Sequence, residues 1–301
     1  MQVNIFWSAQ PHWDESACHL IAEAEGMSEW IFDDPQPETR NYYFVQIDHE
    51  VLLPVAERVI PFQNVPNFRD MGGYAAANGR RVRWGKLYRS AELSRMTERD
   101  IRYAQSLGVA WICDLRTDDE IGRHPSPRIG AEINEQLSFL ASADPREMFA
   151  AGITADMLAD ANRQMVGNTE LTARFMRRLL AFQGAPVLFH CAAGKDRTGF
   201  IGSVVLQALG VSRDDILNDY ALTNRFAGHF KANIAQPSSY ESLMAGLSED
   251  VLAALSEARP AYMQAAFDEL DGKYGSFEAY WISGLGLSRE ELAQLRDYYL
   301  A

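Results

Sequence analysis

The residues whose types and spacing point most directly to chemistry lie in one short stretch, residues 190–199, which reads HCAAGKDRTG. Cys191 can act as a thiolate nucleophile, and a thiolate can attack phosphorus to form a covalent intermediate. Arg197 follows six positions later, and its planar guanidinium can hold two oxygens of a phosphate group. The spacing therefore predicts a cysteine-dependent reaction at phosphorus, with Cys191 as the nucleophile.

The rest of this stretch supplies groups that suit an oxyanion. Gly194 and Gly199 allow a tight backbone path and the close approach of an anion. We predict that Thr198 hydrogen-bonds the sulfur and helps it leave when water cleaves the intermediate, and that His190 orients the loop. The predicted phosphate-binding residues, through backbone N–H groups or side chains, are Ala192, Ala193, Gly194, Lys195, Asp196 and Arg197.

A strand, a loop and a helix must position these groups. Residues 186–190 are short and apolar, which predicts a buried strand that ends at His190. Apolar residues at helical spacing after Arg197 predict a helix that ends at Gly210. Such a turn aims backbone N–H groups and the positive end of the helix dipole at one point, where they stabilise a thiolate and a bound anion.

The pattern along the chain changes near residue 60. Residues 1–60 read as short strands between acidic, turn-rich stretches and predict a small β-rich domain, although Glu15–Glu25 is also compatible with a helix. In residues 61–301 strands alternate with helices, which predicts an α/β domain with a central, mostly parallel sheet. Leu137–Leu140 is an expected strand of that sheet, and residues 144–182 contain only helical patterns.

Composition limits the partners. The net charge is −13, which disfavours nucleic acid and an anionic membrane surface as bulk electrostatic partners. No apolar run approaches the ~20 residues of a membrane-spanning helix. The three cysteines, Cys18, Cys113 and Cys191, lack metal-ligand spacing, so we expect neither a metal nor a cofactor and place the protein in a reducing cytoplasm.

The stretch 190–199 resembles the signature of the protein tyrosine phosphatase superfamily, which is His-Cys, five residues, Arg, and then Ser or Thr. More narrowly, it is similar to bacterial tyrosine/lipid phosphatases whose loop reads HCxAGKDRTG. Further similar segments are residues 67–74 (NFRDMGGY), 87–94 (LYRSAELS), 114–117 (DLRT) with Glu120, 274–280 (YGSFEAY), and Leu295-Arg296. The resemblance runs from about residue 60 to the end, and the first 60 residues resemble a β-sandwich-like extension of some members.

The resemblance implies a three-layer phosphatase fold and metal-independent hydrolysis of phosphotyrosine, often with phosphoserine, phosphothreonine or phosphoinositide activity as well. The substrate would then be a phosphotyrosine protein or a phosphoinositide. The resemblance also implies a helical lid over the site, formed by residues 144–182, which would exclude water and gate access.

The leaving group needs a proton, and aspartate is the usual donor. Asp144 precedes the helical segment, where the superfamily generally places its movable acid loop. Asp196 lies beside Arg197 and could instead donate the proton or position Lys195. Asp114 is a third candidate.

Other charged residues have structural alternatives. Asp114 and Glu120 are expected to pair with an arginine such as Arg116. Arg69 and Asp70 either support the phosphate loop or simply form an ion pair.

Two other functions compete with a phosphatase. One is a phosphate-binding module without turnover, and the other is a sulfurtransferase, which also places a reactive cysteine in a loop of this kind. Arg197 followed by Thr198 and Gly199 favours the phosphatase over the sulfurtransferase.

Overall fold

A computed structural model gives the structure of the protein and describes residues 2–26, 29–139, 155–234 and 249–301. The strands are β1 (Gln2–Ser8), β2 (His19–Glu25), β3 (Tyr42–Ile47), β4 (Glu50–Val55), β5 (Arg69–Asp70), β6 (Leu87–Ser90), β7 (Trp111–Asp114), β8 (Ile133–Gln136) and β9 (Val187–His190). The helices are α1 (Glu98–Ser106), α2 (Asp118–Arg123), α3 (Ala155–Val166), α4 (Thr169–Ala181), α5 (Asp196–Leu209), α6 (Arg213–Ala221), α7 (Ala227–Ile234), α8 (Glu249–Ser256), α9 (Pro260–Tyr274) and α10 (Arg289–Tyr299).

The N-terminal strands form a four-stranded antiparallel sheet in the order β2-β1-β3-β4. Its core contains Tyr42 and Phe44, and Trp84 from the following segment packs against them. The predicted β-rich character of this region is confirmed. A helix over Glu15–Glu25 is wrong, because residues 19–25 pair along β1 and take their backbone hydrogen bonds from that neighbour.

The second sheet has five strands in the order β5-β6-β9-β7-β8. All neighbours are parallel except β5, which is antiparallel to β6, so the predicted mostly parallel sheet is confirmed. The strand expected at Leu137–Leu140 lies earlier, at Ile133–Gln136. Leu137 and Phe139 are buried directly after it, which explains the apolar signal, and Leu140 is outside the described residues.

Side chains that alternate along β7 and β9 divide the core into two layers around the sheet. Trp111, Cys113 and Phe189 face a core shared with α4, α5, α6, α9 and α10. Ile112 and Leu188 face the opposite core, which α1 closes. The predicted three-layer α/β fold is therefore confirmed.

The helical segment expected as a lid includes part of this core. Helix α4 buries Phe175, Met176 and Leu179, and the Phe175 ring lies 5.1 Å from that of Trp111 on the sheet. The expectation of a lid is wrong for α4, because its apolar face packs on the sheet. Residues 144–154, the beginning of the expected lid, lie outside the described residues.

The two sheets contact each other through polar groups. The Arg40 guanidinium lies 3.1 Å from the Asp70 carboxylate, and the Trp84 indole donates a hydrogen bond to the Pro54 carbonyl at 3.0 Å. A domain boundary at residue 60 stays a prediction. Among the described helices, none combines the length and apolar character needed to span a membrane.

Candidate active site

The loop that carries Cys191 lies where the sequence predicts it. Strand β9 ends at His190 and helix α5 begins at Asp196, so residues 191–195 form the connection. Gly194 has φ of 65°, and a Cβ at this position would lie 2.4 Å from the Ser90 carbonyl oxygen. Only glycine fits, because any side chain would push the loop away from the end of β6.

Cys191 combines burial with a field that favours an anion. The residue is 3% exposed and stands between the end of β9 and the positive end of α5. Within the described chain, the backbone N–H groups of residues 192–195 donate to no other protein group. These amides and the first N–H groups of α5 are available for a thiolate or a tetrahedral oxyanion.

Arg197 forms a bidentate ion pair with Glu120. Its two terminal nitrogens lie 2.7 Å and 2.6 Å from the two carboxylate oxygens. Thr117 caps α2, and Glu120 completes the capping box, so the start of a short helix fixes this carboxylate. Burial alone would raise the pKa of Glu120, but the hydrogen bonds and charge of Arg197 lower it to about 2. Glu120, which was expected beside an arginine such as Arg116, therefore orients the predicted phosphate-binding arginine instead.

Thr198 is fully buried in the first turn of α5. Its hydroxyl has no hydrogen-bond partner among the described residues. A bond to the sulfur is therefore not formed in this arrangement, and the predicted role of Thr198 in sulfur departure stays a prediction. An unpaired buried hydroxyl is nevertheless available to a group formed during the reaction.

Asp196 and Lys195 lie side by side but make different contacts. Asp196 accepts a hydrogen bond from the Tyr220 hydroxyl at 3.0 Å, and its other oxygen lies 3.5 Å from the Lys195 ammonium. The same ammonium donates to the carbonyls of Leu255 at 2.7 Å and Glu257 at 3.3 Å, at the end of α8. Lys195 is 3% exposed, so it joins the loop to that helix end.

Asp114 pairs with Arg116, as expected. Its carboxylate accepts three hydrogen bonds from the guanidinium, at 2.9 Å, 3.1 Å and 2.7 Å. Burial alone would raise the pKa of Asp114, but these bonds hold it below its usual range. His190 lies 3.6 Å from the same carboxylate, and burial lowers the pKa of its imidazole. A neutral, fully buried His190 fits the predicted orienting role.

The carbonyl side of the loop is held by a second group of residues. We call this group the rear network, and it comprises Asn67, Arg69, Arg89 and Asp219. The Asn67 amide donates to the carbonyls of Ala193 and Gly194 at 3.1 Å and 2.9 Å. Arg89 also donates to the Gly194 carbonyl, at 2.9 Å. Because these carbonyls are hydrogen-bonded to the rear network, the backbone N–H groups of the loop remain available for an anion on the opposite side.

Asp219 connects the two arginines of the rear network. It lies 3.3 Å from the Arg69 guanidinium and 2.8 Å from that of Arg89. Burial alone would raise the pKa of Asp219, but the charges of Arg69 and Arg89 hold it far below its usual range. Arg69 also donates to Asn67, so it supports the loop through that amide as well as forming an ion pair.

Asp70 does not join Arg69 or the loop. It is fully buried, pairs with Arg40, and accepts the backbone N–H groups of Gly72 and Gly85, both at 2.8 Å. The predicted supporting role of Asp70 therefore needs correction. Its side chain is directed to the junction of the two sheets, because successive residues of β5 point to opposite sides.

Sequence reasoning missed Asn67, Arg89, Asp219 and Tyr220 as parts of this site. Asn67 and Arg89 stand in segments that resemble the phosphatase family, so a signal existed for both. The sequence signal for Asp219 was weaker and consisted of its position on the buried face of α6, which it shares with Ile216. The predicted acid Asp144 lies outside the described residues.

Comparisons with known proteins agree with this geometry. The sequence model of the tyrosine phosphatase family matches residues 60–301. A Cupriavidus necator protein named as a tyrosine-protein phosphatase is 34% identical over 80% of this chain and 88% of its own length. The triple specificity protein phosphatase PtpB of Mycobacterium tuberculosis is 31% identical over 78% of this chain and 96% of its own length. With the loop, its arginine fork and this match over most of its length, the chain belongs to the tyrosine phosphatase family.

Proposed function

We propose that this chain hydrolyses phosphotyrosine in proteins through a phosphocysteine intermediate on Cys191. The observation that carries the proposal is the joint placement of Cys191 and Arg197 at the N-terminus of α5, around a loop whose amides are unpaired. These groups match the charge that develops on the three equatorial oxygens of a transferred phosphoryl group.

The first step transfers the phosphoryl group to sulfur. The Cys191 thiolate forms a bond to phosphorus while the bond from phosphorus to the tyrosine oxygen breaks and its electron pair goes to that oxygen. A protonated aspartate gives the leaving oxygen its proton. Arg197, oriented by Glu120, holds two equatorial oxygens, and the loop amides hold the third.

The second step releases inorganic phosphate. Water attacks phosphorus, the bond to sulfur breaks, and the sulfur leaves as a thiolate. The aspartate, now ionised, takes the proton from the water. The unpaired Thr198 hydroxyl supports a role here, because it can donate to the sulfur as negative charge returns.

Two aspartates remain candidates for the proton donor. Asp196 accepts a hydrogen bond from Tyr220 and lies near Lys195, contacts that favour a role in shaping the loop. We therefore keep Asp144 as the proposed acid and Asp196 as its alternative.

The buried position of Cys191 supports phosphotyrosine as the main substrate, because the longer side chain reaches a recessed sulfur more readily than phosphoserine does. Phosphoserine, phosphothreonine and phosphoinositides are the secondary classes that we propose. The name of the Mycobacterium tuberculosis relative, a triple specificity phosphatase, supports testing all of them.

A cytoplasmic location is also a proposal. It is supported by the cysteines, since Cys18, Cys113 and Cys191 are all free thiols.

The function can be tested by trapping the intermediate. Wild-type protein mixed with a ³²P-labelled phosphotyrosine peptide and quenched by denaturation is expected to carry label on Cys191. A parallel panel of phosphoserine, phosphothreonine and phosphoinositide substrates ranks the substrate classes. Phosphopeptide binding without phosphate release would indicate a binding module, and sulfur transfer from thiosulfate to cyanide would indicate a sulfurtransferase.

A further inference from the structure

A cavity of about 310 Å³ lies where the N-terminal sheet meets the second sheet. Such a volume is at the lower end of the range for small-molecule sites. Its polar lining comes from both sides of the junction, with Thr39, Arg40 and Tyr42 on one side and Lys86, Tyr88 and Ser106 on the other. The cavity is separate from the phosphate loop, because Lys86 and Pro186 precede β6 and β9, whereas the loop follows the other ends of those strands.

The charge of the lining is positive. Arg40 and Lys86 both line the cavity, and no carboxylate is among its lining residues. In the part of the chain that the structure describes, the Lys86 ammonium takes part in no hydrogen bond or ion pair. Burial lowers the pKa of Lys86, and the nearby charge of Arg83 lowers it further. Among the described residues, the half-buried Lys86 is therefore an unpaired positive charge in the lining of the cavity.

Arg40 adds a second positive charge to the lining. Its terminal nitrogens bind the Glu57 carbonyl and the Asp70 carboxylate, and the residue is 6% exposed. Its Nε is buried and has no partner among the described residues. This nitrogen is closed to water, so Arg40 contributes positive charge to the cavity lining rather than a free donor.

We propose that this cavity binds a small organic anion whose carboxylate or phosphate group contacts Lys86. Tyr42, Tyr88 and Ser106 line the space beside these two cations. The ligand binds near the N-terminal ends of β6 and β9, whereas Cys191 follows the C-terminal end of β9. It therefore does not compete with the phosphorylated substrate.

Titration calorimetry with citrate and with inorganic phosphate tests this proposal. The full chain carries Arg197→Met, which removes the guanidinium that would hold an anion at the catalytic loop. In this background we expect saturable binding of at least one probe. Adding Lys86→Met should weaken that binding at least about tenfold, because a charge-assisted hydrogen bond is lost while the stem of the side chain is kept.

Lys273→Met is the matched control, because this exposed lysine on α9 is not part of the cavity lining. In the otherwise wild-type chain, Lys86→Met should leave kcat and KM for a phosphotyrosine peptide unchanged, which also shows that the variant folds. Two outcomes overturn the proposal: no saturable binding of either probe up to about 10 mM, or binding that Lys86→Met and Lys273→Met affect equally.

Discussion

The two sides of the phosphate loop are built from the same kinds of charged groups under different conditions. On the catalytic side, the Arg197 and Glu120 side chains are 19% and 30% exposed. In the rear network, Arg69, Arg89 and Asp219 are at most 1% exposed. Water thus reaches the ion pair on the catalytic side, whereas the ion pairs in the rear network are sealed from water.

This difference in exposure suggests different roles for the two sides, with the catalytic side acting in the reaction and the rear network holding the shape of the loop. Removing one charge from a sealed ion pair leaves its partner buried and uncompensated, which destabilises the fold. Removing a partly exposed charge leaves a group that water can still solvate. We therefore expect changes on the catalytic side to reduce turnover with little loss of stability, and changes in the rear network to reduce both. The following predictions test that division, in order of their expected effect on turnover.

Cys191→Ser should lower kcat/KM for a phosphotyrosine peptide by at least about 10⁴-fold, because the nucleophile is lost. The thermal midpoint should stay close to that of wild type, and binding of the peptide should persist. Cys18→Ser is the matched control and should retain activity. Residual turnover above roughly one hundredth of wild type would contradict the assignment of the nucleophile.

Arg197→Lys should lower kcat/KM by about 10²- to 10³-fold, since a point charge cannot reproduce the two parallel hydrogen bonds of the guanidinium. Urea denaturation should show little loss of stability. Arg178→Lys, on the surface of α4, provides the comparison for a general effect of this exchange. Near-normal activity of Arg197→Lys would place the phosphate elsewhere.

The two candidate acids can be separated by leaving group and pH. The rate should be bell-shaped in pH, because the Cys191 thiolate must be ionised and the acid protonated. Asp144→Asn should flatten the alkaline limb and reduce hydrolysis of poor leaving groups by about 10²-fold while nearly sparing an activated aryl phosphate.

For Asp196→Asn we expect a lower rate with every substrate and an unchanged bell-shaped pH dependence. The reason is that Asp196 accepts a hydrogen bond from Tyr220 and helps to shape the loop. The reverse pattern would make Asp196 the acid. If both variants kept a bell-shaped pH dependence of the rate, the proton donor would be Asp114 or water.

Asp219→Asn should be the variant that reduces stability most. It leaves Arg69 and Arg89 facing each other without their anion, and such a loss costs about 3–5 kcal/mol in the free energy of unfolding. Turnover of the folded fraction should fall about tenfold, since Arg89 then positions the Gly194 carbonyl less well. Asp214→Asn, on the exposed side of the same helix, serves as control. If Asp219→Asn were as stable as this control, the division between the two sides would fail.

Glu120→Gln should lower turnover no more than Asp219→Asn does, by at most about tenfold at neutral pH, because Arg197 keeps its charge and loses only its orientation. The depressed pKa of Glu120, about 2, also predicts an acid dependence of stability. Its contribution is fully present above the ordinary glutamate pKa of about 4.3 and is lost as the pH falls towards 2.

The difference in unfolding free energy between wild type and Glu120→Gln should accordingly shrink between pH 6 and pH 3. Urea denaturation at both pH values measures it, with Asp119→Asn on the same helix as control. A difference that stays constant with pH would show that the carboxylate is not stabilised by Arg197.

Local patterns predicted the strand, the loop and the helix around Cys191, because each carries its own signal within about twenty residues. The rear network could not be predicted in this way. Arg89 and Asp219 are 130 positions apart, and no local sequence pattern around either residue indicates that the two are in contact. The lid assignment failed for α4 because an amphipathic helix has the same sequence pattern whether its apolar face meets a sheet or covers a site.

The contact between Lys195 and the end of α8 bears on selectivity. Because the Lys195 ammonium is buried and held by several carbonyl dipoles, it is not an independent positive charge beside the loop. A ligand with one phosphate can bind Arg197 and the loop amides while that contact stays in place. A ligand with two neighbouring phosphates, such as a polyphosphorylated inositol ring, would compete with the helix end for the same lysine. We therefore expect discrimination between the two ligands to depend on how firmly α8 is anchored.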